Sequence, residues 1–338
     1  MAPAVSILLP VFNAAATLPA ALASLRAQTF ANWELIAVDD GSTDATPVLL
    51  SAAAAADPRL HILTQAHAGI VAALNFGLTT ARAPLVARFD ADDECHPERL
   101  ERQVAFLDTH PEIGLCGTQV EFGGDAATNR GYALHVEWTN SLLSPAEIAL
   151  NRFVESPVAH PSVLFRRELV AAHGGYREHA WPEDYELWLR WLDAGVQFAK
   201  LAAPLVRWND PPQRLSRTHP RYAVDAFYAC KCHYLARWLR RELAPARALY
   251  LRGAGKVTRR RFAALAAEGV RLAGYVDVDA HKLGARIGGL PVLGPTEVPA
   301  AGECFVLGAV GTRGARDFIR AQLHAQDRVE GRDFLMVA

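Results

Sequence analysis

The stretch WELIAVDDGSTD, residues 33–44, decides how the rest of the chain is read. Its first half, Glu34–Val38, is a short apolar run of strand length. It stops abruptly at Asp39-Asp40-Gly41-Ser42, and a helical pattern follows from Asp44 to Ala56. A buried strand that runs into acids and a glycine turn, then a helix, is one half of a strand–helix–strand unit. The same rhythm extends both ways. Upstream, Val5–Phe12 reads as a strand and Thr17–Gln28 as a helix, with Leu18, Leu22 and Leu25 on one face. Downstream, Leu60–Leu63 reads as a strand, Ile70–Arg82 as a helix, and Leu85–Phe89 as a strand that meets Asp90. Pro97 then opens a helix to about Leu107. Alternation of this kind implies an α/β domain with a mostly parallel sheet covered on both faces.

Further along, Ile113–Phe122 and Ser162–Phe165 read as strands, and Glu183–Leu192 as a helix with Trp188 and Trp191 turned inward. The polar, glycine-rich Gly123–Asn140 reads as a loop. A long helix is expected from His219 to about Leu243, closed by Pro245. The pattern then restarts: strand Ala248–Leu251, Gly253-Ala254-Gly255-Lys256, a helix to about Glu268, strand Arg271–Val276 ending in Asp277, strand Cys304–Ala309 and helix Arg313–Ala325. Two domains follow, residues 1–245 with the 219–243 helix, and a smaller α/β domain over 246–338.

Composition narrows the function classes. Among 338 residues, 35 Lys+Arg face 36 Asp+Glu, without the positive excess of a dedicated nucleic-acid binder. No apolar run approaches the roughly 18–20 residues that span a bilayer. The N-terminal stretch lacks a basic region before Val5 and reads as a strand rather than a signal peptide. Five cysteines without C-x-x-C spacing suit reduced thiols in a cytoplasmic protein, with Cys230 and Cys232 as packing residues. From Lys231 to Arg261, ten Lys/Arg accompany the single acid Glu242, with Trp238 and Tyr250 interleaved. That run is either a solvated face or a surface for anionic headgroups at the inner side of a membrane.

Ligands of open α/β sheets lie beyond the carboxyl ends of the strands, where two acidic clusters fall. In Asp39-Asp40-Gly41-Ser42-Thr43-Asp44, helix capping by Asp44 accounts for the later residues and leaves Asp39 and Asp40 unexplained, with Asp40 the functional candidate. In Asp90-Ala91-Asp92-Asp93, three carboxylates crowd within four positions directly after an apolar strand. Oxygen-only ligation of that kind suits Mg²⁺ or Mn²⁺ shared with substrate phosphates. A third acidic pair, Glu183-Asp184, opens a helix, where the macrodipole alone also favours acids.

In order, VSILLPVFN, WELIAVDDGSTD, ARFDADDECHPERLERQ and EDYELWLRW resemble the signature of family 2 glycosyltransferases of the GT-A fold, over roughly residues 4 to 235. The resemblance implies that Pro10, Phe12 and Asn13 line a nucleotide pocket and that Asp40 meets the nucleobase, uracil first among them, through a ring N–H. It implies that Asp92 holds the metal, that Asp90 reaches the ribose or the metal shell, and that Asp184 is the catalytic base. Arg88 is placed near the nucleotide. The segment Arg214–His219 is similar to a loop that closes over the diphosphate, which makes His219 an additional candidate ligand. His160-Pro161-Ser162, Gly174-Gly175-Tyr176 and Trp181 flank the acceptor side, where turn geometry or core packing explains them equally well. The implied reaction is a single inverting displacement from a UDP-sugar, or another nucleotide-diphosphate sugar, onto a hydroxyl of a glycan or lipid-linked glycan.

The C-terminal stretch resembles Rossmann-like modules of polysaccharide-biosynthesis proteins. Gly253-x-Gly255 with Asp277 is a partial dinucleotide fingerprint, whose third glycine position holds Thr258. Nucleotide binding, a structural role and homo-oligomer formation all stay open for that module. Two rival readings remain. A sugar nucleotidyltransferase would carry a glycine-rich, basic loop where Asn13-Ala14-Ala15-Ala16-Thr17 stands. A regulatory protein would sense a nucleotide through its C-terminal module.

Overall fold

The computed structural model describes residues 2–244 and 246–338, so the expected boundary residue Pro245 lies outside the described residues. The chain forms two compact units. The first comprises residues 1–148, 157–179 and 186–219, and the second residues 149–156, 180–185 and 220–338.

The first unit holds an eight-stranded sheet. Its strands are β1 (Val5–Val11), β2 (Trp33–Asp39), β3 (Leu60–Thr64), β4 (Leu85–Arg88), β5 (Glu94–Cys95), β6 (Ile113–Phe122), β7 (Leu164–Arg166) and β8 (Gln197–Trp208). Their order is β3-β2-β1-β4-β7-β6-β8-β5. Strands β3, β2, β1 and β4 are mutually parallel; β7 enters antiparallel between β4 and β6. β2 is buried along its whole length and β1 over most of it, as parallel strands covered on both faces must be. Helix Leu18–Arg26 begins with Pro19 in its first turn and buries Leu18, Ala21, Leu22 and Leu25.

The structure departs from the sequence reading at two places for identifiable reasons. Residues 123–140 are not all loop, because Arg130–Ser141 is a helix with Val136 and Thr139 buried. Strand β8 was hidden by Lys200 and Pro204. The Lys200 ammonium is buried and donates to the carbonyls of Thr139 and Pro157. Pro204 sits opposite Gln119 at a register shift, a place in a sheet where proline is tolerated.

The second unit includes helix Val224–Glu242, shorter than expected at its start, which buries Cys230, Cys232, Leu235, Trp238 and Leu239. Its sheet contains β9 (Ala248–Arg252), β10 (Gly274–Val276), β11 (Arg286–Ile287), β12 (Leu290–Leu293), β13 (Cys304–Gly308) and β14 (Phe334–Met336). The order is β11-β12-β10-β9-β13-β14, parallel except for the β11–β12 hairpin. Winding therefore reverses between β9 and β13, as in doubly wound sheets. All five cysteines are buried. Among the described residues no helix is long and apolar enough to cross a membrane.

Candidate functional site

Parallel register brings the carboxyl ends of β2, β1 and β4 to one edge of the first sheet. Val11 pairs with Asp39 and Leu8 with Arg88, so Phe12, Asp40 and Asp90 leave the sheet side by side. The turn after β2 needs Gly41: its φ is +76°, and a Cβ there would lie 2.8 Å from the His67 amide nitrogen. Asn13, at φ 48°, ties the two turns together: its N–H donates to Ser42 Oγ at 2.9 Å and its Oδ1 accepts from Thr43 N–H at 2.8 Å. Pro10 is the next-to-last residue of β1, and Phe12, just beyond the strand, is left 46% exposed.

Asp40 is buried, and its carboxylate is heavily engaged. Oδ1 accepts from Gln65 Nε2 at 2.6 Å and from Ala68 N–H at 2.8 Å, and Oδ2 accepts from Gly69 N–H at 2.9 Å. Asp44 anchors the following helix, its Oδ1 accepting from Thr46 N–H at 2.9 Å.

Asp90, Asp92 and Asp93 place carboxylate oxygens within 4.8 Å of one another. Asp93 is 1% exposed; its Oδ1 accepts from Asn209 N–H at 2.8 Å, while Oδ2 is buried with no hydrogen-bond partner. Burial, reinforced by the charge of Asp90, pushes the Asp92 carboxyl up to about 6. Burial and both neighbouring carboxylates push Asp93 well above the ordinary range. Such crowding calls for a cation. Arg88, expected beside the nucleotide, is instead 1% exposed and ion-paired with Asp90. Beneath it, buried Arg99 donates to the Arg88 carbonyl at 2.9 Å.

The strand end at β8 supplies residues that the sequence reading missed. Asn209 donates its amide N–H to Asp93, as above, and its Nδ2 to the Asp92 carbonyl at 2.8 Å. Asp210 next to it accepts from Arg217 Nε at 2.8 Å, and the Arg214 guanidinium lies 4.7 Å over the Trp208 ring. The charge of Arg214 draws the Asp92 and Asp93 carboxyls partly back down. His219 is exposed at the end of the short helix Leu215–Thr218 and does not join the cluster of three carboxylates. Asp93 stood in the acidic cluster all along; nothing in the sequence marked Asn209.

The Glu-Asp pair divides its work. Glu183 is 2% exposed and accepts from the Tyr222 hydroxyl at 2.7 Å, whereas Asp184 is half-exposed at the head of helix Glu183–Asp193. Trp181 packs against His233, ring centroids 5.4 Å apart. His160 and Tyr176 are buried against each other, Nε2 to hydroxyl 2.8 Å. Ser162 and Gly174 offer carbonyls to Gln103 and Arg190, which ties the His-Pro-Ser and Gly-Gly-Tyr segments into the packing around them.

In the second unit, Gly253 adopts φ +122°. The Asp277 carboxylate accepts from Ala254 N–H at 2.9 Å, Val278 N–H at 2.9 Å, Asp279 N–H at 3.0 Å and Lys282 Nζ at 3.2 Å. Against the opposing push of burial, these donors hold it below the ordinary range. The basic run does not form one surface, because Lys231 and Arg252 are buried.

Comparison with known proteins bears on the family and the fold. The family profile described as Glycosyl transferase family 2 matches residues 6–174. The chain is 30% identical over 242 residues to the putative glycosyltransferase EpsE of Bacillus subtilis, covering 68% of this chain and 82% of that one. It is 33% identical over 192 residues to the amylovoran biosynthesis glycosyltransferase AmsE of Erwinia amylovora, covering 55% of this chain and 68% of that one. In fold it is similar to residues 1–349 of S. aureus TarS, solved with UDP-GlcNAc, at TM-score 0.57 and 18% identity over 78% of this chain and 72% of that one. It is likewise similar to the mannosyltransferase PcManGT of Pyrobaculum calidifontis, solved with GDP-Man and Mn²⁺, at TM-score 0.52 and 18% identity over 80% and 71%.

Proposed function

Because the chain belongs to glycosyltransferase family 2 and has the GT-A fold, we propose that it moves a sugar from a nucleoside-diphosphate sugar, a UDP-sugar first among them, to a hydroxyl of a glycan or lipid-linked glycan in surface polysaccharide synthesis. The observation that carries this reading is the acidic cluster at the end of β4, where Asp93 Oδ2 is buried and unbonded beside two further carboxylates. An all-oxygen, partly buried site fits Mn²⁺ or Mg²⁺, held by Asp92 with Asp90 and Asp93. Bound there, the ion would neutralise charge on the departing nucleoside diphosphate.

The chain's own residues do the rest. Phe12 offers an aromatic face to the base and Asp40 an acceptor for a ring N–H. Arg214, whose charge already acts on the Asp92 and Asp93 carboxyls, is a cation available to the diphosphate. Asp184, half-exposed where Glu183 is buried, takes the proton from the acceptor hydroxyl as that oxygen attacks the anomeric carbon, and the sugar–phosphate bond breaks on the opposite side. An α-linked donor then yields a β-linked product. The rival in which the C-terminal unit senses a nucleotide lacks a free ribose-binding acid, because Asp277 is engaged by its own loop and by the Ala254 N–H of the Gly253–Gly255 turn.

The test is calorimetric titration of UDP-GlcNAc and GDP-Man with and without Mn²⁺, followed by turnover of the donor that binds. One donor should bind only with the metal. Asp184→Asn should bind it equally well and turn over roughly 10²–10⁴-fold more slowly. Loss of donor binding with an unchanged rate at saturation would move Asp184 out of the base role.

A further inference from the structure

The loop between β3 and the next helix puts an imidazole where the proposed function needs a base. The rings of His67 and Phe12 are stacked, centroids 4.1 Å apart and planes 24° from parallel. The His67 Nδ1 lies 3.1 Å from the Asp40 carbonyl oxygen and 2.9 Å from Asp40 Oδ2. Both protein donors to Oδ1 and the Gly69 donor to Oδ2 come from elsewhere on the same loop, so the position beside Oδ2 taken by His67 is where one further donor fits. A planar nitrogen heterocycle thus lies on the exposed aromatic ring and presents a nitrogen to the buried acid. Those are the two contacts that a nucleobase would make at this strand edge.

We propose that the His67 side chain is the ligand-free occupant of the nucleobase subsite, a plug that an incoming nucleotide displaces before its base stacks on Phe12 and meets Asp40. The inference rests on the reading that the ends of β1 and β2 hold the base. The loop is built for such an exchange. Its backbone is fixed: the His67 amide packs against Gly41, and the Ala68 and Gly69 N–H groups are tied to Asp40. The imidazole itself is 57% exposed, so it can swing into water by rotating about its own side-chain bonds while those backbone contacts stay in place. His67 then acts as a specificity determinant, because only a base that stacks and donates better than imidazole displaces it.

The experiment titrates UDP and GDP, each with Mn²⁺, into the full chain by calorimetry, and carries the tighter nucleotide forward. Mn²⁺ with pyrophosphate serves as a probe that has no base. His67→Ala should tighten the nucleotide by about three- to tenfold, the equivalent of one aromatic stack, and leave pyrophosphate within about twofold. Phe12→Ala should weaken the nucleotide and spare pyrophosphate. If His67→Ala weakens the nucleotide, His67 is a wall of the subsite and the plug is refuted. Equal tightening of pyrophosphate refutes it as well, because the effect then lies outside the base subsite. If Phe12→Ala leaves nucleotide affinity unchanged, the base binds elsewhere, and the underlying reading fails together with the inference. Weakening by Phe12→Ala without tightening by His67→Ala removes the plug alone.

Discussion

Strand β4 in the first unit and strand β10 in the second both run into aspartate, and the two ends differ in how their carboxylates are satisfied. After β4, Asp93 keeps a buried oxygen without a hydrogen bond, and Asp92 is pushed up to about 6 by burial and by Asp90. After β10, Asp277 receives three backbone N–H groups and an ammonium, and is held below the ordinary range in spite of its burial. The same residue type at the carboxyl end of a parallel strand thus serves opposite ends. Unsatisfied buried carboxylates raise the free energy of the empty site and lower it again when a cation arrives. A satisfied carboxylate holds its own loop and offers little to a ligand. Asp40 stands between the two, with three firm donors and a fourth position taken by a side chain that can leave.

The largest effect that tests this contrast is on catalysis. Asp92→Ala removes a proposed metal ligand from the unsatisfied end. Turnover with Mn²⁺ should fall on the order of 10³-fold or more, and the Mn²⁺-dependent part of UDP affinity should vanish. Undiminished Mn²⁺-dependent turnover in a variant folded by circular dichroism would remove the metal from β4 and erase the contrast.

A smaller effect sharpens it. Asp93→Asn keeps an oxygen for the Asn209 N–H and deletes a charge from a crowded, buried cluster. Mn²⁺ affinity should fall by about 10–100-fold, the range for a residue that supports or completes a metal shell. In EDTA the same variant should be as stable as the parent or more so, by about 1 kcal/mol, because like charges no longer share a dry site. Thermal melts with and without metal separate the two outcomes. A variant that melts lower in EDTA would make Asp93 a structural partner of Asn209 and nothing more.

Much of this was legible from residue order. β1, β2 and β4 announce themselves as short apolar runs that stop at polar turns, and Asp90 and Asp92 stand out because acids rarely crowd a buried strand end. What was not legible depends on contacts across the chain. The Asp93 partner, Asn209, is 116 residues away and follows a strand interrupted by Lys200 and Pro204. The stack of His67 on Phe12 joins two loops that only the parallel register brings together. Asp277 shows the converse limit. Its position after a strand and a Gly-x-Gly turn reads as a ribose acid, yet its role follows from its hydrogen-bond donors, which spacing does not reveal. The helix Val224–Glu242 was likewise visible as a helix, but its grouping with the second unit rests on which apolar faces it covers.

The smallest predicted effect lies at that satisfied end. Asp277→Ala takes away the acceptor of the Ala254, Val278 and Asp279 N–H groups and the anionic partner of Lys282. The Asp277 side chain is 11% exposed, so water can reach some of these donors once the carboxylate is gone, and the cost should be about 1–3 kcal/mol of stability rather than a collapse of the unit. Because Gly253 already holds a positive φ, the loss should fall on the Gly253–Gly255 loop, where amide hydrogen exchange would rise at Ala254. Nucleotide affinity and turnover should stay within about twofold of the parent, since no donor contact is proposed there. Denaturant melts and exchange measure the first part, and the UDP titration with Mn²⁺ measures the second. A variant with parental stability and weakened nucleotide binding would mean that Asp277 reaches a ligand after all, and that a saturated carboxylate in this fold is no guide to a structural role.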